Sequence, residues 1–235
     1  MIEIKTFASS SRGNAYRVTD GRTPLLLEAG ISFPAIRQKL NFQTSDLAGC
    51  LISHNHSDHC KAVGEAMKAG IDCFMSQGTA DILEVSGHRL KVVGAKKQFQ
   101  LGTWTILPFE TEHDAAEPLG FLLANQDGDK LLFATDTYYV RYLFRGLTHI
   151  MVETNYARDI LEENVAKGFV PPALKRRLIQ SHFSLENVKE FLKANDLSRV
   201  QEIHLLHLSE GNSDEARFKR EIQQLTGRVV LVAPA

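Results

Sequence analysis

The 235-residue chain is 43% hydrophobic with a formal net charge of −1, enough apolar material for one large folded domain and too balanced a charge to recruit nucleic acid through an overall basic field. Its cysteines, Cys50, Cys60 and Cys73, are too few and odd in number for a disulfide framework and point to a reducing compartment. No segment approaches the roughly 20 apolar residues of a membrane helix, and the opening residues hold no cleavage signal, so a soluble, cytoplasmic enzyme forming a single domain over 1–235, without a membrane partner, is expected.

In chain order, Ile2–Ala8 alternates apolar and polar residues as a half-buried strand does. Ser9-Ser10-Ser11-Arg12-Gly13-Asn14 is a turn cluster that serves either a plain hairpin or, through its backbone N–H groups, an anion. Ala15–Thr19 and Pro24–Glu28 follow as strands around Asp20-Gly21, giving an antiparallel meander. Ser32 reads as the N-cap of a helix ending near Leu40. Leu47–Ser53 is an apolar strand. Asp58–Gly70 has helical periodicity at Val63, Ala66 and Met67, with Gly70 as C-terminal cap. Strands Ile71–Met75 and Leu90–Val93 flank a helix over Thr79–Val85. Gln98–Leu101, Thr103–Phe109, Phe121–Asn125 and Lys130–Ala134 form a second run of strands, the last two turning at Asp127-Gly128. Ile150–Glu153 is a strand, and Ile160–Lys167 and Ala173–Ile179 are helical. Ser181-His182-Phe183-Ser184 opens a helix through Ala194; strand Val200–Leu206, helix Asp214–Leu225 and strand Arg228–Val232 close the chain. Two halves of strands and helices predict an α/β fold with two sheets face to face, helices outside, and a site at one shared edge.

The stretch Leu51–Cys60, LISHNHSDHC, organises this reading. His54, His56, Asp58 and His59 fall within six positions of the end of an apolar strand. Folding alone has no use for three imidazoles and a carboxylate so close together, whereas neutral His and ionised Asp are good ligands for a divalent metal. Alternate residues leaving a strand point the same way, so His54 and His56 can share one ion while Asp58 and His59 face a second. Cys60, directly after His59, could be a thiolate near metal, but a small packed thiol is the favoured reading because Cys is often simply buried. Two later polar residues stand just past buried strands, where sites gather: His113 in Thr111-Glu112-His113-Asp114 and Asp136 in Thr135-Asp136-Thr137. Lys175, Arg176 and Arg177 are either a solvated helix face or a local phosphate clamp. His204 is out of phase with the apolar face of its strand and reads as a surface residue. His88 and His149 have no role beyond turn or strand-edge packing.

The ordered signals His54–His59, His113, Asp136 and His207 resemble the metal motifs of the metallo-β-lactamase superfamily, and the resemblance covers nearly the whole chain. It implies a four-layer αβ/βα sandwich and a hydrolase with two divalent metal ions, zinc or manganese, with iron acceptable to the same donors. His54, His56 and His113 would hold one metal, Asp58, His59 and His207 the other, with Asp136 bridging. Ser181-His182-Phe183-Ser184 looks like the H-x-S/T element of the RNase Z-like nucleases, and Glu153 stands where those enzymes place its carboxylate partner. Ser9–Asn14, His113-Asp114-Ala115, Thr135-Asp136-Thr137, Glu153-Thr154-Asn155 and His207-Leu208-Ser209 with Asn212 resemble the WalJ/YycJ-like group, viewed as exonuclease-like phosphodiesterases. Two positions depart from the pattern: Glu28 stands where this fold usually has Asp, and Tyr156 where related sequences often have His. A long insertion and a Gly/Pro-rich arm, the marks of dedicated tRNA-processing enzymes, are both missing.

The resemblance therefore implies a phosphodiesterase acting on nucleic acid, DNA before RNA, through a two-metal-activated hydroxide. Asp58 would be catalytic as well as a ligand. His182, oriented by Glu153, would protonate the leaving sugar oxygen. Ser11, Asn14, Arg176, Ser209 and Asn212 would contact substrate. The alternative is a small-ester hydrolase of the lactonase or thioesterase type using the same metals; the His182 element and the basic triplet favour the phosphoester.

Overall fold

A computed structural model describes the whole chain, Met1–Ala235. Two compact units can be distinguished, residues 1–110 with 115–130 and residues 111–114 with 131–233. No helix is long and apolar enough to cross a membrane.

In the first unit, strands β1 (Glu3–Ser10), β2 (Gly13–Thr19), β3 (Pro24–Leu27), β4 (Gly49–Leu51), β5 (Cys73–Met75) and β6 (Leu90–Val92) form one sheet in that order. The first three are antiparallel, and β3 to β6 run parallel. Helices α1 (Phe33–Lys39), α2 (Ser57–Cys60), α3 (Val63–Lys68) and α4 (Gln77–Ile82) connect the parallel strands. Leu26, Ile36, Cys50, Ile52, Val63 and Met75 belong to one buried apolar cluster. Burying each large aliphatic side chain contributes about 1.5–3 kcal/mol. Strands β7 (Phe99–Leu101), β8 (Trp104–Glu110) and β9 (Leu119–Asn125) add an antiparallel ribbon. Trp104 is fully buried in it and donates its indole N–H to Thr23 O at 2.9 Å.

Two predicted boundaries move here. Much of the Ser9–Asn14 turn cluster is strand: Ser9 pairs with Asn14 and Ser10 with Gly13, so only Ser11-Arg12 turns. Ladder hydrogen bonds override the turn preference of Ser and Asn in a two-residue hairpin. The helix expected over 58–70 is two helices, because Ala62 N donates to Ala29 O at 2.8 Å and leaves the helical path.

In the second unit, β10 (Lys130–Ala134), β11 (His149–Glu153), β12 (Glu202–Leu206) and β13 (Val229–Val232) run parallel in sequence order. Helices α5 (Arg158–Ala166), α6 (Pro172–Ser181), α7 (Leu185–Ala194) and α8 (Glu215–Thr226) complete it. His204, expected at the surface, is buried in β12 with Nε2 3.0 Å from Glu202 Oε2. An inner parallel strand is covered on both faces, so alternation does not mark an outward side. The helix expected to open at Ser181 begins at Leu185 instead. His182 is extended (φ −134°, ψ 150°) and ends α6, and Ser184 caps α7 by accepting from Asn187 N at 3.1 Å.

Candidate metal centre

The predicted donors around His54–His59, Asp136 and His207 leave the C-terminal ends of parallel strands, where α/β sheets collect ligands, whereas His113 follows the antiparallel strand β8. In the first unit the chain leaves β4 at Leu51 and reaches His54, whose Nδ1 lies 2.8 Å from Ser53 Oγ. The His54 ring centroid is 4.8 Å from that of His56 and 4.2 Å from that of His59. Asp58 lies in the short helix α2, with its Oδ2 3.3 Å from His59 Nε2.

The turn after β3 holds this loop from beneath. Buried Glu28 accepts from Ser53 N at 3.0 Å through Oε1, and its Oε2 lies 3.4 Å from His59 Nδ1. Burial raises the Glu28 carboxyl above the usual range, His59 opposing it only in part. The departure from Asp at this position thus keeps a carboxylate against the motif. Ala29 N donates to His59 O at 2.8 Å. A Cβ on Gly30 would sit 1.7 Å from the Asp58 carbonyl oxygen, so only glycine lets the two segments touch. Asn14, expected to meet substrate, is buried; its amide donates to Ser10 O at 3.0 Å and Asp58 O at 3.2 Å and lies 3.2 Å from His59 Nε2. It steadies the loop instead. Cys60 is a buried thiol donating to His56 O at 3.1 Å, pushed up to about 12 by burial, and so is no thiolate ligand.

The second unit gathers five more predicted residues. Ligand atoms of Asp136, Glu153, His182 and His207 all lie within 4.8 Å of one another. His207 Nδ1 is 2.8 Å from Asp136 Oδ1 and 3.3 Å from Glu153 Oε1. His182 Nδ1 is 2.5 Å from Glu153 Oε1. His113 Nδ1 lies 2.8 Å from Ser181 O, and its Nε2 is 3.7 Å from Asp136 Oδ2. Glu28, Asp136 and His207 all have left-handed backbones (φ 64°, 41° and 52°). Such strain in residues other than glycine persists where surrounding contacts over-determine it, and it concentrates at functional sites.

Charge in this cluster is skewed. Burial pushes the His207 imidazole down, yet Asp136 and Glu153 outweigh it and bring it to about 10. Burial also opposes the charged form of His182, and Glu153 with Asp136 again outweighs it and raises the imidazole. Glu153 is pushed up by burial but held below the usual carboxylate range by His182. His113 is lowered by burial, against the pull of Asp136. Two buried carboxylates that draw protons onto their imidazole neighbours are a donor set short of positive charge, which fits a divalent cation.

The remaining expected contacts divide. Ser11 and Arg176 are exposed. Lys175 and Arg177, beside Arg176, are paired with Glu162 at 2.5 Å and Asp114 at 2.8 Å, as on a solvated helix face. Asn212 is buried and accepts from Asn164 Nδ2 at 2.9 Å, with its own Nδ2 3.3 Å from Ser209 Oγ. Ser209 N donates to Asn155 O at 2.8 Å, and Asn155 Nδ2 to His207 O at 2.9 Å. Ser209 and Asn212 thus belong to the network behind His207. Ser53, Thr135 and Thr137 were missed as supports: Thr135 Oγ1 donates to Asp136 Oδ1 at 2.8 Å, and Thr137 N to Glu153 Oε2 at 3.0 Å. A hydroxyl residue directly beside His54 and on either side of Asp136 was the available signal, since ligands need partners that fix their orientation.

A family model described as a β-lactamase superfamily domain matches residues 23–207. This chain belongs to that superfamily. It is a metal-dependent hydrolase with the metallo-β-lactamase fold, an α/β sandwich of two mixed sheets. Among superfamily relatives, the exodeoxyribonuclease WalJ of Streptococcus pneumoniae is 31% identical, over 95% of this chain and 88% of its own. The exodeoxyribonuclease YycJ of Bacillus anthracis is 26% identical, over 95% and 89%. The metallo-β-lactamase-fold protein YhfI of Bacillus subtilis superposes over all of this chain and 96% of its own, with a TM-score of 0.74 at 12% identity. A diphosphatase of the PhnP family does so over 100% and 96%, with a TM-score of 0.68 at 13% identity. At those identities the structural likeness speaks for the fold alone.

Proposed function

We propose that this hydrolase is a phosphodiesterase that cuts nucleic acid, DNA before RNA, using two divalent cations. His54, His56, Asp58, His59, His113, Asp136 and His207 would hold them. When bound, zinc or manganese would supply Lewis acidity toward the phosphoryl oxygens and lower the pKa of the attacking water. His54 and His113 would ligate through Nε2, because their Nδ1 atoms face Ser53 Oγ and Ser181 O.

The observation that carries the reading is the Glu153–His182 pair, 2.5 Å apart and within one ligand cluster with Asp136 and His207. Glu153 occupies Nδ1 and thereby fixes the ring, so Nε2 is the edge offered to a leaving group. A sugar alkoxide is a poor leaving group, and a positioned imidazolium that gives it a proton removes most of that cost. The exodeoxyribonuclease relatives support DNA as the polymer and an end as the point of attack.

Metal-reconstituted protein should be tested on end-labelled single- and double-stranded DNA and RNA, beside bis-p-nitrophenyl phosphate and a lactone. Shortening of DNA that a chelator stops is the expected result. Lactone turnover with inert phosphodiesters would transfer the assignment to small-ester hydrolysis.

A further inference from the structure

Asp136 and Thr137 lead into an aromatic run, Tyr138-Tyr139-Val140-Arg141-Tyr142-Leu143, that metal binding does not require. This run, with Phe183, Asn187 and Phe191, lines a cavity of about 580 Å³, within the size range of small-ligand sites. Both walls hang on the carboxylate that orients His182. Glu153 Oε2 accepts from Thr137 N at 3.0 Å, where the aromatic run begins, and from Phe183 N at 3.2 Å on the other side.

The backbone of the run is fixed. Tyr138 N donates to Glu112 O at 3.1 Å, Asn187 Nδ2 to Tyr138 O at 3.2 Å, and Thr137 Oγ1 to Tyr139 O at 2.7 Å. The side chains nevertheless face solvent, with Tyr138 37%, Tyr139 54% and Leu143 70% exposed. Pinned backbone under solvent-facing rings is a stacking surface whose backbone ordering cost is met before a ligand arrives. Arg141, the one basic residue on this wall, is paired with Glu112 at 2.6 Å, and Glu190 adds a carboxylate. The lining therefore suits an uncharged aromatic ring better than a phosphate.

We propose that this cavity is a nucleobase subsite: a base of the substrate strand stacks on Tyr139, with Tyr138 beside it, next to the His182–Glu153 pair. The proposal rests on the nuclease reading and names where that enzyme grips the nucleotide. Stacking on tyrosine tolerates every base, so the subsite recognises an unpaired nucleotide without reading sequence.

The test uses the full chain. A single-stranded oligonucleotide carrying 2-aminopurine is titrated in chelator, where its fluorescence reports stacking without cleavage. Wild type should quench the probe, Tyr139→Ala should bind it roughly tenfold or more weakly, and Tyr139→Phe should retain binding. In parallel, the loaded enzyme is assayed on oligonucleotides with a normal or an abasic terminal nucleotide. Wild type should prefer the base through KM, and the preference should collapse in Tyr139→Ala. No quenching, or equal quenching by wild type and Tyr139→Ala, overturns the subsite. Cleavage of normal DNA with wild-type KM by Tyr139→Ala also removes the subsite and leaves the nuclease reading standing. Tyr139-dependent quenching without cleavage of any phosphodiester keeps a base-binding site and removes the nuclease reading. Sedimentation that shows a dimer abolished by Leu143→Ala would give the surface to a second copy of the chain and overturn the proposal.

Discussion

His182 is held by one ring nitrogen and acts, in the proposed reaction, through the other. His182→Ala should lower kcat by roughly 10²- to 10⁴-fold, the usual worth of a positioned acid. Metal content should not change, and elemental analysis beside the rate separates loss of the acid from loss of the centre. Asp20 shows a different residue-scale balance. Burial pushes its carboxyl up, but hydrogen bonds from Thr103 Oγ1 at 2.6 Å and the N–H groups of Thr23 and Arg22 outweigh it, so the folded carboxyl lies below its ordinary value. A carboxyl depressed by folding adds stability that is complete above the unfolded pKa of about 3.9 and is lost as pH falls through the folded value. Urea melts between about pH 5 and pH 3 should therefore show wild type losing more stability than Asp20→Asn, the two curves converging at the acid end. At this scale the pairing of His182 with Glu153 was legible only through the resemblance to the RNase Z-like nucleases, because His182 follows helix α6 and no strand marks it. Asn14, Asn212 and His204 were not legible, because burial of a polar side chain depends on what covers it.

Among the elements, the turn between β3 and α1 matters most to the candidate centre, since it carries Glu28 and Gly30. Gly30→Ala drives a methyl into the Asp58 carbonyl, and the loop must move. Metal affinity should fall about 10- to 100-fold, as when an outer partner of a ligand is lost, and the melting temperature should drop even in chelator. A wild-type affinity would mean that the turn does not set the loop. Ser184 caps helix α7, so Ser184→Ala should cost about 1 kcal/mol and lower the melting temperature by roughly 2–4 °C. Strand and helix periodicity located nearly every element. Ends moved where tertiary hydrogen bonds intervened, as at Ala62 and at His182.

For the whole molecule, removing metal should abolish hydrolysis and lower thermal stability together. Restoring a divalent ion at about 100 times its Kd should raise stability by roughly 2.7 kcal/mol, because it binds only folded chain. Calorimetry with and without chelator checks this, and a melting temperature indifferent to metal would count against a structural link between the cations and the fold. The sequence by itself determined the superfamily and the order of the elements, and it singled out the candidate donors, because imidazoles and carboxylates after apolar strands are costly unless they bind something. Only the tertiary structure decided which polar residues face inward as supports, that Glu28 reaches Ser53 and His59 beneath the motif, and that an aromatic run after Asp136 encloses a cavity. Those depend on contacts between segments distant in sequence, which no local pattern of residues encodes.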